Sequence, residues 1–482
     1  MSAPLVMKFG GSSVADAERI THVAEIIGQQ THRPLVVVVS AMSGVTDLLI
    51  KITENIHRKD ADGVEEHLRE VFRRHQSTVG DFRFDPGEKH QLAATMTQQL
   101  NLLKTTVRRI MNSGTMTPRD YDAIVSFGER LNIHLVAAAV HHEGIKSQAV
   151  EASSMIVTTD HFTDAKPLLE ESAPRALEVL GDLFEAETVP IVTGFVGATK
   201  TGEVTTLGRG ASDYTATILG YCLTAAEVWI WTDATGVMTA DPRMISDAQT
   251  IKQLSYDEAA ELSYFGAKVL HPLTMVPASL KNIPIYIKNT FEPQAVGTVI
   301  SATASSHGVV KAVSVKSGLS MVTVRGKGVS GAPAILSKVF DPLAEHKIDV
   351  FFITHASSEH NISFIVKSSA GKRTVSLVRE ILAAELDQKT VETVDLQNGL
   401  ALIAVVGREM DDISSITGQL FMALGASGVT VLAISQGSSD HNISCVIDDH
   451  QTAVALKTLH QTFKLVSDKA SRVTFQTLFG RR

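Results

Sequence analysis

An α/β protein in two parts is what the sequence predicts: a mostly parallel sheet sandwiched between helices over residues 1–300, then two ferredoxin-like βαββαβ units. Three observations carry the prediction. Short runs rich in Val and Ile alternate with helical patterns through the first part, as buried parallel strands do. A heptapeptide is written twice, SSEHNIS at 357–363 and SSDHNIS at 438–444, and nothing like it precedes residue 300. Around each copy the same order of strands and helices returns, which marks a duplicated supersecondary unit.

In chain order, the first strand ends at Lys8, and the turn FGGSS leads into a helix expected from Val14 with Ser13 and Asp16 as a capping pair. Further strands are expected at 35–39, 123–127, 189–195, 228–232 and 283–288. Between Asp47 and Asn112 the pattern turns to long charged helices, broken only at Gly63, Gly80, Pro86 and Gly87. They read as a helical excursion packed beside the sheet and forming one wall of a substrate cleft. SATASSHG at 301–308 is a polar linker, which places the domains at 1–300, 301–318 (linker and first regulatory strand), 319–396 and 397–482, the last with a C-terminal strand. The first repeat is expected to run from the strand LSMVTVR to the strand TVETVD, and the second to start afresh with the strand GLALIAVVG. Each heptapeptide is then the hairpin turn between the two middle strands of its unit.

A chain of 482 residues is too long for a single core. Its formal charge of −8 gives no electrostatic reason to bind nucleic acid. Cys222 and Cys445 stand alone, outside any CxxC pattern, so no disulfide framework or zinc site is supported and no metal-ligating set can be named. MSAPLVMKFGG lacks the basic and apolar regions of a signal peptide, and no run of about 18 apolar residues occurs, so a cytoplasmic protein without membrane contact is expected.

Ligands of open α/β sheets bind beyond the carboxyl ends of the strands, so the residues after each apolar run matter most. Lys8 and FGGSS follow the first, Ser40 and SGVT the second, Gly128 and Glu129 the next, and Thr232 and Asp233 the WIW run. KFGGSSV has neither Walker nor dinucleotide spacing. Its Gly10 and Gly11 nevertheless let backbone N–H groups approach a phosphate, with Ser12 and Ser13 as further donors and Lys8 as the charge; a tight strand-to-helix turn is the competing reading of these residues alone. TTLGRGASDYTA at 205–216 holds Arg209 and Asp213 in one loop that enters an apolar helix. Arginine suits a bidentate grip on a carboxylate, and Asp213 can fix a lysine or approach a metal through water. In WTDATGVMTADPR and FGAKVLHP, Thr232, Asp233 and Arg243 can contact ribose and phosphates, and Lys268 can place a second positive charge near the terminal phosphate, whereas His271 reads as structural.

Taken in order, KFGGSSV, SAMSGVT, SFGER, TTLGRGASDYTA, WTDATGVMTADPR and FGAKVLHP resemble the consecutive signatures of the aspartate kinases of the amino-acid kinase superfamily, and the duplicated units resemble their paired ACT domains. The resemblance covers essentially the whole chain. It implies an amino-acid kinase αβα sandwich that phosphorylates the side-chain carboxylate of L-aspartate with ATP and Mg²⁺, the first step towards lysine, threonine and methionine. Positions that match the family's catalytic residues are Lys8, Arg209 and Asp213; those matching substrate contacts are Ser40, Thr46, Glu129, Arg209, Gly210, Ala211 and Ser212. On the nucleotide side the matches are Lys8, Phe9, Gly10, Gly11, Ser12, Thr232, Asp233, Met238, Arg243 and Lys268. A carboxylate nucleophile is already ionised near pH 7, so no general base is required.

Two positions depart from the family pattern. Ala211 stands where GRGGSD has its second glycine, and Met238 stands where many relatives carry an aromatic residue. In the ACT pair, His355, Asn361, Gln436 and Asn442 match effector positions, with threonine, lysine or both as the effector. The wording ITHASSEHNIS is nearer to threonine-sensitive bifunctional relatives, although no dehydrogenase domain is expected in a chain that stops at Arg482. ACT pairing implies a homodimer or higher homo-oligomer. Two other readings stand beside this one: a sister amino-acid kinase, since one methylene of substrate is worth only about 1–3 kcal/mol, and an amino-acid sensor whose kinase lobe is silent.

Overall fold

The computed structural model describes residues 2–208, 210–266, 270–302, 310–326, 332–356, 361–407, 413–436 and 442–465. They divide into two compact units. The first holds residues 2–237, 252–260 and 270–302, and the second holds 238–251, 261–266 and the described residues from 310 onward. Packing therefore does not divide the chain at a single boundary near residue 300, because two short segments before that point pack with the second unit.

The strands of the first unit are β1 (Leu5–Phe9), β2 (Leu35–Val39), β3 (Ser147–Val150), β4 (Val157–Thr158), β5 (Val189–Thr193), β6 (Val196–Thr199), β7 (Val204–Thr206), β8 (Glu227–Thr232), β9 (Gln253–Leu254), β10 (Ile285–Asn289) and β11 (Thr298–Ile300). Eight of them form one sheet in the order β3-β5-β2-β1-β8-β10-β11-β9, and β4, β6 and β7 form a small second sheet. Within the large sheet only the β10–β11 pair is antiparallel. LVMKF and LVVVV are buried along their whole length, as central parallel strands covered on both faces must be. The expected helical excursion is present as Val45–Arg58, Ala61–Asp81 and Pro86–Ser113. Val64, Leu68 and Val71 of the second helix and Met96, Leu100, Leu103 and Val107 of the third turn one face each into the core of the sheet.

Two expectations fail here for local reasons. Residues 123–127 are not a strand: they belong to helix Pro118–Val125 and the start of helix Phe127–His142. A short apolar run cannot be told from buried helix by its own pattern. The overlooked signal is upstream, where Pro118 occupies the first helical turn and Thr117 and Asp120 exchange capping hydrogen bonds. The stretch Pro118–His142 is long and apolar enough to cross a membrane by length and composition, yet 78% of its apolar window is buried inside the unit. At the amino end, the first helix starts at Ala17, not Val14, because Asp16 accepts the Arg19 N–H while the Ser13 hydroxyl is 2.7 Å from that of Thr290.

The second unit adds β12 (Val310–Arg325), β13 (Phe352–Ala356), β14 (Asn361–Lys367), β15 (Thr393–Gly407), β16 (Val431–Gln436) and β17 (Asn442–Asp448). They form one antiparallel sheet in the order β13-β14-β12-β15-β17-β16. The expected strands TVETVD and GLALIAVVG are a single strand, β15, and LSMVTVR is only the second half of β12. Gly318 and Gly399 have φ of 74° and 76° and lie where the β12–β15 register shifts. Read in the sequence as breaks, they are bulge residues that let two long strands continue. One consequence is that the repeats interlock. Val313, before the first repeat, packs with Ile403 and Val405 in the core of the second, while Val322 and Val324 pack in the core of the first. The linker residues 303–309, the turns 357–360 and 437–441, and the expected C-terminal strand lie outside the described residues.

Asp122, on helix Pro118–Val125, ties that helix to the small sheet. Fully buried, it accepts hydrogen bonds from Thr206 Oγ1 (2.6 Å), Thr206 N (3.1 Å) and Thr163 N (2.9 Å), and burial pushes its pKa up. Asp122→Ala strands three donors, and a loss of about 3 kcal/mol is expected as an earlier denaturant midpoint in urea.

Candidate active site

β1 lies at a switch point of the sheet: the chain leaves it through helix Ala17–Gly28 to β2 on one side, and β8 flanks it on the other. Such points open a crevice at the carboxyl ends of the strands. Lys8 stands at that end, level with Val38 and Ile230, and is 8% exposed. An ammonium so placed needs a counter-charge. Asp213, in the first turn of helix Ala211–Leu223, supplies it with Oδ1 2.5 Å from Nζ.

The turn after β1 closes against the turn after β2. Gly10 N–H donates to the Trp231 carbonyl at 3.2 Å, so this amide is engaged in the sheet edge and is not a free phosphate donor. Gly11 has a different duty, since a methyl there would come within 2.9 Å of the Ala41 carbonyl oxygen. Gly128 presses on the same loop from the other side, where a methyl would meet the Ala41 side chain at 2.8 Å and lie 3.7 Å from the Thr46 hydroxyl. Gly11, Gly128 and Glu129 thereby close on Ala41, with Thr46 beside the Gly128 position.

Glu129 is the buried carboxylate of this assembly. Its Oε1 accepts the Ala41 N–H at 3.1 Å, and its Oε2 is buried without a hydrogen-bond partner among the described residues. Burial lifts its pKa to about 7, against the lowering pull of the Ala41 N–H and the Lys8 charge. One turn on, Asn132 Nδ2 donates to the Ser40 carbonyl at 2.6 Å while its Oδ1 is also buried without a partner among the described residues. Asn132 was missed in the sequence, though SFGERLN places it three residues after Glu129 on one helix face.

Ser212 is buried against the turn after β5, where a methyl on Gly194 would meet its Cβ at 2.6 Å. Ala211, the departure from the family pattern, is accommodated as the first residue of its helix, and its carbonyl accepts from Thr215 Oγ1. Gly210 caps that helix with φ of 73°. Arg209 and Lys268 lie outside the described residues.

On the expected nucleotide side, Thr232 ends β8 and its hydroxyl donates to Asp233 at 3.1 Å, with Asp233 exposed. Met238 and Arg243 belong to the second unit. Arg243 is exposed and held by Asp241, with Nη2 2.5 Å from Oδ2. In the second unit His355 is exposed on β13 opposite Ile362, and Gln436 holds the equivalent register on β16 opposite Ile443. Asn361 and Asn442 open β14 and β17. Asn442 does not stand open at a hairpin tip: it is buried and donates from Nδ2 to Glu261 Oε2 at 2.6 Å.

The amino acid kinase family matches residues 3–289, and the ACT domain matches residues 322–382 and 403–463. Sheet, buried Lys8–Asp213 pair and fused repeats together define an amino acid kinase that carries two ACT domains. Aspartokinase 3, chloroplastic, of Arabidopsis thaliana is 35% identical over 469 residues, covering 95% of this chain and 81% of that protein. E. coli aspartokinase III in complex with aspartate and ADP (R-state) is similar with a TM-score of 0.80 at 28% identity, over 95% of this chain and 99% of that one. The same enzyme in complex with lysine and aspartate (T-state) gives 0.79 at 27%, with the same coverage. The chain belongs to the aspartokinase family.

Because Gly194 admits the start of helix Ala211–Leu223, Gly194→Ala is expected to destabilise the first unit by about 1–3 kcal/mol. Adding Ser212→Gly removes the colliding Cβ and should recover part of that loss. A double-mutant cycle by thermal melting checks the coupling.

Proposed function

We propose that this chain transfers the γ-phosphoryl group of ATP to the side-chain carboxylate of L-aspartate, giving 4-phospho-L-aspartate and ADP. The observation that carries the proposal is the buried Lys8–Asp213 pair beside Glu129, whose Oε2 has no hydrogen-bond partner among the described residues. A cation at the carboxyl end of β1 neutralises charge on the transferring group, and Asp213 fixes where that cation points. Glu129 Oε2 accepts the α-ammonium of aspartate, and Arg209 grips its α-carboxylate. Ser40, Thr46 and Ser212 line the same crevice, with Gly210 and Ala211 beside them. The nucleotide is held by Phe9, Gly10, Gly11, Ser12, Thr232, Asp233, Met238, Arg243 and Lys268, with Gly10 contributing shape because its amide is engaged. Mg²⁺ brought with ATP would offset phosphate charge, and Asp213 would hold it. The residues present fit it, since Asp213 is an acidic group at the charged end of the site. The attacking carboxylate needs no base, so positioning and charge carry the rate.

Support for aspartate and a nucleotide comes from the aspartokinase III complex that holds aspartate and ADP, and support for feedback by an amino acid comes from the one that holds lysine. We place the effector, lysine or threonine, at the ACT pair near His355, Asn361, Gln436 and Asn442, with ACT pairing making the homodimer. An effector shifts the balance only as far as it binds one state better than the other.

The direct test traps acyl phosphate with hydroxylamine, using ATP with L-aspartate or L-glutamate, and lysine and threonine added singly and together. Turnover of aspartate suppressed by one effector is expected. Absence of turnover with either acid, alongside binding of lysine or threonine, would leave a sensor with a silent kinase lobe and sink the proposal. Replacing Asn361 and Asn442 together by Ala should blunt the suppression, and full sensitivity in that variant would remove these residues from the effector site.

Glu129 adds a pH signature. With a pKa lifted to about 7, it is protonated below and ionised above that value in the free protein. Only the carboxylate can pair with the α-ammonium, so kcat/KM for aspartate should rise with pH and level off above about 7. Glu129→Gln should lower kcat/KM and abolish this rise.

A further inference from the structure

The segment that joins β8 to β9 carries Met238 and Arg243, and it is built into the second unit. Thr239 is its anchor. The Thr239 carbonyl accepts from Val313 N–H of β12 at 2.9 Å, and its N–H donates to the Gln249 carbonyl at 2.8 Å. Its hydroxyl oxygen accepts the Gln249 N–H at 3.0 Å and lies 2.9 Å from Nε2 of His460. His460, on helix Thr452–Thr462, is 1% exposed. Around this pair, Ala240 and Ile245 share one apolar cluster with Ile403, Val405, Leu456 and Leu459. The hydroxyl hydrogen is free to be donated to Nε2, which leaves the ring proton on Nδ1 and the imidazole neutral. Burial favours that neutral form against the charge of Asp247.

We propose that His460 is a positioning residue for nucleotide binding: through the Thr239 hydroxyl it fixes the segment that carries Met238 and Arg243. This rests on the reading of those two residues as nucleotide contacts. His460 touches no reactant. Its effect is transmitted by chain continuity, because Thr239 follows Val237, whose own N–H is tied to Thr298 Oγ1 at 2.8 Å, and so lies only a few residues from Thr232 and Asp233. The ACT helix Thr452–Thr462 thereby has a role in ordinary substrate affinity as well as in feedback.

In the full chain, His460→Ala and Thr239→Val should each raise the KM for MgATP about fivefold or more, the factor that corresponds to the ~1 kcal/mol of a typical net hydrogen bond. The KM for aspartate and kcat should stay within about twofold. His460→Gln, whose amide nitrogen reaches the place of Nε2, and Thr239→Ser, which keeps the hydroxyl, should return towards the parent value and remain informative if the alanine variant does not fold. Folded variants with an unchanged KM for MgATP overturn the inference. So does an equal loss for both substrates, which is the mark of a merely structural role. Titration with MgADP by calorimetry separates this inference from the assignment of substrate. Weaker MgADP binding in His460→Ala and Thr239→Val supports it even if aspartate is not turned over, and equal binding, or no binding by the parent chain, overturns it.

Discussion

A lysine buried at the end of a central parallel strand is the constraint on which the first unit depends. Lys8 is held in the sheet between β2 and β8 and is only 8% exposed, so its ammonium is largely shielded from water. Leaving a buried charge unpaired costs several kcal/mol, and the chain answers with Asp213 at 2.5 Å. That answer dictates geometry elsewhere. Helix Ala211–Leu223 must begin against the ends of the strands, which is possible only because Gly194 has no side chain where Ser212 sits. The helix start also places an acidic residue in its first turn, where the helix dipole favours negative charge.

Glu129 follows the same logic with opposite sign. Its carboxyl is carried into the crevice by a helix, held by the Ala41 N–H, and left with one oxygen unmatched among the described residues. A buried acceptor without a partner is a cost that a ligand can remove. Lys8, paired with Asp213, and Glu129, bonded to the 40–42 loop, thus bring one basic and two acidic groups to the carboxyl ends of the strands.

Much of this was legible, and the unread parts share a cause. KFGGSSV and GRGASD announce Lys8 and Asp213 because each motif is local, and its glycines and hydroxyls can be weighed within a few residues. The duplication was legible from the heptapeptide. Gly194, Asp122 and Asn132 were not, since each acts on a partner distant in sequence: Ser212, Thr206 and Ser40 respectively. Residues 123–127 misled because an apolar run of that length fits either a strand or a buried helix. Gly318 and Gly399 misled because a glycine that ends one strand and a glycine that lets a strand bulge and continue look alike until the partner strand is known.

The fused sheet bears on how an amino acid signal could travel. Had the repeats been two closed βαββαβ units, each could shift without disturbing the other. Instead β12 and β15 pass through both cores, and β12 also donates to the Thr239 carbonyl through Val313 N–H. β12 and β15 pair with each other across both repeats, with register shifts near Gly318 and Gly399. Asn442 is bonded to Glu261, on the helix that ends at Tyr264. Lys316 of β12 donates to the Tyr264 carbonyl, and Ser314 donates to that of Phe265. The segments on either side of β9, 238–251 and 261–266, thus both pack within the second unit.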